Sequence, residues 1–393
     1  MFNNSCTLTT ANSCFIDTFC FFFFFYLSHF NNIPPEGKIT LDEAITFAKD
    51  LIERKKTEWG CPGIAIAVSI DGKNTWSEGF GYADLENRVP CTRDTVMRIA
   101  SISKPITMAA IAKMWENGKI DLDKPVQYYL PSFPEKEVDG EKVTITLHNL
   151  LSHMSGIRHY SKAYLNKKND KNNNNENKKV VESSDNNNNN NHENSEENES
   201  DNDKNSNKKE KDEKIDEFYL KRSFKNVEEA LTLFRDDPLV HKPGTKFLYT
   251  THGWTLASAV LEKASNIPFP KLMTAVFREL GLHSTCFDRN EPIVYNRARF
   301  YRTTKNGQVV NVPYVDNSYK WAGGGFLSTV GDLIKFGNSV GTSSILLILP
   351  ADSTNPTKNP PKGVVIAGLA NLSGLSFIQF ALSLAQVFER VQM

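Results

Sequence analysis

The chain carries strand-forming sequence near both ends and helical patterning between them, and that layout leaves few folds open. Near the start, Gly63-Ile64-Ala65-Ile66-Ala67-Val68-Ser69-Ile70 is an unbroken run of strand length that ends at Asp71-Gly72. Asp-Gly is a strong two-residue hairpin signal, and a second strand follows over Asn74 to Gly79. Near the end, Ser344 to Leu349 and Gly363 to Leu369 read as two more strands, with an amphipathic helix from Leu375 to Val391 after them. A further helix, Leu41 to Trp59, precedes the first strand, with Ala44, Ile45, Ala48, Leu51 and Ile52 on one face. The expectation is an α+β fold: an antiparallel sheet built from both termini, with flanking helices, against an all-helical half.

Within the helical part, Arg98-Ile99-Ala100-Ser101-Ile102-Ser103-Lys104-Pro105 opens an apolar-periodic run predicted to be a helix of about four turns ending near Gly118. Ser101 then sits in the first turn and Lys104 one turn on, on the same face. A hydroxyl with an amine beside it at a helix N-terminus has the make-up of an activated nucleophile. An S-x-x-K match alone is weak: Ser206 to Lys209 is a second one, inside a polar tract. The neighbouring motifs give the first match its weight.

Composition narrows the alternatives. Lys+Arg and Asp+Glu are 46 each, so a net charge of zero gives no argument for nucleic acid. The six cysteines lack C-x-x-C spacing, so neither a disulfide framework nor a zinc site is indicated. Residues 1–35 form an irregular segment centred on a phenylalanine run. That run is too short to span a bilayer, and it lacks the basic residues of a signal or transit peptide. It reads as a translated intron end, with an irregular targeting segment as the alternative and a membrane anchor as a weaker third reading. The segment from 166 to 217, rich in Asn, Lys, Glu, Asp and Ser, cannot bury apolar surface and reads as a disordered insertion in a domain running from 36 to 393.

Four motifs follow one another: Ser101-x-x-Lys104; Leu150-Leu151-Ser152-His153-Met154-Ser155-Gly156, which reads as a helix ending at its glycine; Pro243-Gly244-Thr245-Lys246-Phe247-Leu248-Tyr249-Thr250-Thr251; and Gly323-Gly324-Gly325-Phe326-Leu327-Ser328-Thr329. In order and spacing they resemble the serine β-lactamases and penicillin-binding proteins of the class C kind. More narrowly, Ser155-Gly156-Ile157-Arg158-His159-Tyr160 and Tyr314 to Ala322 are similar to the mitochondrial branch of that family in animals. The resemblance runs from about residue 36 to 338. It implies an acyl-enzyme on Ser101, Lys104 as proton acceptor, Tyr249 as general base or relay, and Thr251 where a side chain touches substrate amides. Tyr249 also reads as a core tyrosine, and Thr251 as the N-cap of a helix from Thr255 to Ala264. His153 and His252 invite a Ser-His reading, but the resemblance assigns neither as base, and His153 is expected to make a structural hydrogen bond.

What the resemblance implies, then, is a mitochondrial serine hydrolase of peptide or other acyl substrates, without a metal or other cofactor and linked to proteolysis and lipid metabolism. The alternative it carries is a filament-forming, homo-oligomeric structural protein. One element departs from the pattern. The family's third motif, Lys-Thr-Gly or His-Thr-Gly on the strand flanking the site, is missing where Phe336-Gly337-Asn338 runs into Ser339-Val340-Gly341. No histidine follows His283, and Lys305-Asn306-Gly307 lies before the Gly-Gly-Gly segment.

Overall fold

The computed structural model describes residues 37–160, 217–340, 347–350, 363–375 and 378–392. The phenylalanine run and most of the polar tract, to residue 216, lie outside them. Helix α1 (Leu41–Trp59) begins where a capping box predicts: Thr40 Oγ1 accepts from the Glu43 amide, and the Glu43 carboxylate accepts from the Thr40 amide. It ends at Gly60, in the left-handed conformation a helix C-terminus favours. Strands β1 (Gly63–Ile70) and β2 (Lys73–Asp84) form the expected hairpin, and both Asp71 and Gly72 take positive φ, as a tight two-residue turn requires.

The sheet is completed from the far end of the chain. After a short β3 (Val89–Pro90), two C-terminal strands, β7 (Leu347–Pro350) and β8 (Gly363–Ala370), give the order β7-β8-β1-β2-β3. Strand β8 runs antiparallel to β1, with Ile64 opposite Ala370 and Ile70 opposite Val364. All eight residues of β1 are buried, and the pleat sorts them by size. Ile64, Ile66, Val68 and Ile70 face α1 and α8 (Ile378–Phe388), whereas Ala65 and Ala67 face the main body of the molecule. Small residues on that face let the helical half pack close to the sheet.

The helical half includes α2 (Ser103–Glu116), α3 (Leu147–Leu151), α4 (Thr251–Ser265), α5 (Phe269–Glu279) and the single turn α6 (Trp321–Gly324). A three-stranded sheet joins β4 (Met97–Arg98), β6 (Phe326–Ser328) and β5 (Cys286–Phe287), in that order. These elements share one apolar core with the inner face of the large sheet. The architecture is the α+β one that the pattern predicts.

Three boundaries differ from expectation. Ser101 lies not in the α-helix but in a 3₁₀ turn, Ala100–Ile102, that leads into α2. The segment before Gly156 is helical only to Leu151; Gly156 has φ +75°, and a Cβ there would stand 2.2 Å from the His241 carbonyl oxygen. Helix α4 starts at Thr251, four residues early, because Thr250 is its N-cap and accepts from the Gly253 amide. Thr251 is therefore the first helical residue and not the cap.

Where the third motif is missing, α7 (Val330–Val340) carries Phe336-Gly337-Asn338 as helix, and Lys335-Phe336-Gly337 with it. Asn338 ties that helix to the hairpin: its amide oxygen accepts from the Ser69 hydroxyl, and its amide nitrogen donates to the Gly72 carbonyl. One strand, β7, then stands outside β8 at that edge.

Ile66 is fully buried between the sheet and its two covering helices. Ile66→Ala should cost ~2–5 kcal/mol of stability in denaturant titration, while fluorophosphonate labelling of the folded protein persists.

Candidate active site

Three residues far apart in sequence meet at the start of α2. Ser101 Oγ lies 2.6 Å from Tyr249 Oη, and Lys104 Nζ lies 3.2 Å from the same Ser101 oxygen. The residue before Ser101, Ala100, has φ +44°, a strained conformation for a side chain with a Cβ. That kink, followed by the 3₁₀ turn, sets Ser101 at the mouth of the helix with its side chain half-exposed.

Lys104 is 6% exposed, and its amine donates to the Gly323 carbonyl at 2.5 Å. It also lies 4.7 Å from the centre of the Tyr249 ring. Burial disfavours the ammonium and brings the amine down to about 7, far below the ordinary lysine value. The same burial pushes the Tyr249 phenol up, with the Ser101 hydrogen bond acting the other way. Lys104 is thus the group poised to accept a proton near neutral pH, and Tyr249 stays a phenol that can relay one.

Turn α6 supplies the acceptor for Lys104. It is pinned by Thr107 Oγ1, which donates to the Ala322 carbonyl at 3.1 Å, and by the Ser103 hydroxyl, which accepts from the Phe326 amide at 3.2 Å. Gly323 must be glycine on contact grounds: a Cβ there would stand 2.5 Å from Thr251 Cγ2 and 3.3 Å from Trp254 Cβ.

Tyr249 is held by the segment containing His153. The Leu248 amide donates to the His153 carbonyl and the Thr250 amide to His153 Nδ1, while the His153 ring stacks on Tyr249 at 4.4 Å. Burial, with Lys104 nearby, lowers His153 to about 4, so it is a neutral acceptor. His252 is fully buried beside Arg158 and Glu217 and stacks on Phe234. Neither histidine has a hydrogen bond to Ser101 among the described residues. Thr251 is 3% exposed, and its amide donates to His159 Nδ1.

A buried ion cluster braces this wall. Arg158, 1% exposed, grips the Glu217 carboxylate through two nitrogens at 2.7 and 2.9 Å and Asp237 through Nε at 2.6 Å. The pairing joins Arg158, ahead of the polar tract, to Glu217 at its very end and Asp237 beyond it. Periodicity could not have revealed it, and neither could it have shown the roles of His159 and Gly323; the Arg158-His159 dipeptide next to Gly156 was the only signal.

A serine hydroxyl between a tyrosine and a lysine desolvated against a glycine carbonyl, on a sheet drawn from both termini, gives the chain the serine β-lactamase-like hydrolase fold. The chain belongs to the β-lactamase family, whose model matches residues 48–370. It is 51% identical over 308 residues to the human serine beta-lactamase-like protein LACTB, mitochondrial, a match covering 76% of this chain and 56% of that one. To the bovine protein of the same name it is 54% identical over 313 residues, again 76% and 56%. The chain thus spans about half the length of these curated relatives, whose names support a mitochondrial location for it. A solved class C β-lactamase shares the fold at 15% identity, with a TM-score of 0.60 covering 91% of this chain and 99% of that one.

Three outcomes follow from this geometry. The rate of Ser101 acylation should rise with pH as Lys104 loses its proton, with a midpoint of about 7. Lys104→Met should abolish acylation yet raise the melting temperature by a few degrees. Because the unfolded chain binds the Lys104 proton more tightly, that gain is full below about pH 7 and shrinks as pH rises toward the ordinary lysine value. Gly323→Ala should lower acylation at least ~10-fold by displacing the carbonyl under Lys104, with circular dichroism unchanged.

Proposed function

We propose that the chain is a serine hydrolase that works through an acyl-enzyme on Ser101, with a peptide amide or another acyl compound as substrate. In the first step Ser101 Oγ attacks the substrate carbonyl, and its proton passes to neutral Lys104. The leaving group departs with a proton relayed through Tyr249, and water then cleaves the Ser101 ester. Thr251 contributes by anchoring His159 through its amide. The observation that carries the reading is the hydrogen-bonded trio of Ser101, Tyr249 and Lys104, with the amine buried. Its counterparts are mitochondrial, and a link to proteolysis and lipid metabolism belongs to the same proposal.

Turnover should be slow. The family pattern draws one of two oxyanion donors from the third-motif strand, and loss of a single donor costs typically ~10²–10³ in rate. That departure also favours a second reading, a weakly active protein that assembles into homo-oligomers or filaments. No helix among the described residues is long and apolar enough to cross a membrane.

A fluorophosphonate or penicillin-type probe should label the purified protein at Ser101, and Ser101→Ala should erase the adduct in mass spectra. Equal labelling of the two proteins, or none, defeats the hydrolase reading. Ordered assemblies in electron micrographs of unlabelled protein would then support the second.

A further inference from the structure

We propose that His159 is a substrate-binding residue, its Nε2–H donating to a second carbonyl or carboxylate oxygen of the acyl compound attacked by Ser101. The proposal rests on the hydrolase reading and narrows its substrate class to acyl groups bearing such an oxygen, as an N-acylamino acid does.

The tautomer is set by a contact on the other side of the ring. His159 Nδ1 accepts the Thr251 amide hydrogen at 3.3 Å, so a neutral imidazole carries its own proton on Nε2. The ring plane is fixed from two directions. It packs on Tyr160 with centroids 4.0 Å apart, and it meets the Tyr249 ring edge-on at 5.6 Å. Its Nε2 has no hydrogen-bond partner among the described residues, and the side chain is half-exposed beside Tyr249, itself bonded to the nucleophile. A donor held in place and left open next to a reactive hydroxyl is what substrate binding requires.

The surroundings select an acceptor oxygen. Lys104 and Lys320 both lower the His159 pKa through their charge, His252 lies nearby, and Glu217 is the one carboxylate acting in the opposite sense. Burial is the largest influence and holds the ring at about 4, so His159 remains a neutral donor through the neutral range. Thr251 leaves the role open: it is 3% exposed, and Tyr160 makes a side-chain hydrogen bond to it.

The test compares two p-nitrophenyl esters of similar length, that of N-acetylglycine and that of pentanoic acid, which lacks the amide. His159→Phe should reduce the ratio of kcat/KM for the first over the second by ~3–10-fold, the worth of one neutral hydrogen bond. His159→Gln, which keeps an N–H donor, should restore most of that ratio. An unchanged ratio in the Phe variant, including an equal loss on both esters, overturns the proposal. Ser101→Ala protein, which cannot turn over, gives an independent readout. N-acetylglycine should move the ¹⁵Nε2 resonance of His159, and a resonance that stays put at saturating ligand counts against the assignment. A resonance that moves while neither ester is hydrolysed by the parent protein would sink the hydrolase reading and leave His159 as a binding residue.

Discussion

The rest of the site depends on the burial of a single amine. Lys104 is nearly without solvent contact, and what it gains in exchange is the Gly323 carbonyl and the Ser101 hydroxyl. Removing an ammonium from water costs far more than two hydrogen bonds return, so the group responds by giving up its proton near neutrality. The cost in stability and the lowering of the amine's pKa are the same free energy. It is carried by the surrounding core, where Ile102, Ile106, Ile111 and Trp254 share one apolar cluster with the inner face of the sheet.

Holding that amine in place takes cooperation between segments that local sequence does not link. Helix α2 presents Lys104 and Thr107 one turn apart, and α6 presents two successive carbonyls to them, from Gly323 and Ala322. The α6 turn can come this close only because Gly323 has no Cβ to meet Thr251. Thr251 in turn is placed by the Thr250 cap, whose hydroxyl also donates to the Arg158 carbonyl. A chain of contacts therefore runs from the ion cluster at Arg158, through the start of α4 and the glycine turn, to Lys104.

Much of this was legible in the sequence, and the limit is a physical one. Periodicity reports which face of an element is buried, so α1, the β1–β2 hairpin and the two C-terminal strands were accessible from residue spacing. The expected helix at Leu150–Gly156 ends at Leu151 because the residues after it bind the Tyr249 segment: His153 takes φ +59°, and its carbonyl and ring both accept amides from that segment. The meeting of Ser101 with Tyr249, 148 residues apart, came from the family resemblance and not from pattern. Arg158 with Glu217 and His159 with Thr251 were out of reach, since neither pair shares an element or a period.

The departure at the third motif bears on chemistry differently from a loss of the base. On the proposed reading, proton transfer from Ser101 needs only Lys104 and Tyr249, both of which are set by the helical half and the glycine turn. Oxyanion stabilisation needs donors aimed at the carbonyl oxygen, and in the family pattern one of these belongs to the strand beyond the last pair. On the proposed reading, a site that keeps its base and lacks one oxyanion donor would retain nucleophilicity and lose transition-state stabilisation. Such a site favours reactive acyl compounds, whose leaving groups demand little electrostatic help, over ordinary amides. If the proposed hydrolase reading holds, an activated ester or a strained lactam should be a better acyl donor to Ser101 than an unstrained peptide bond.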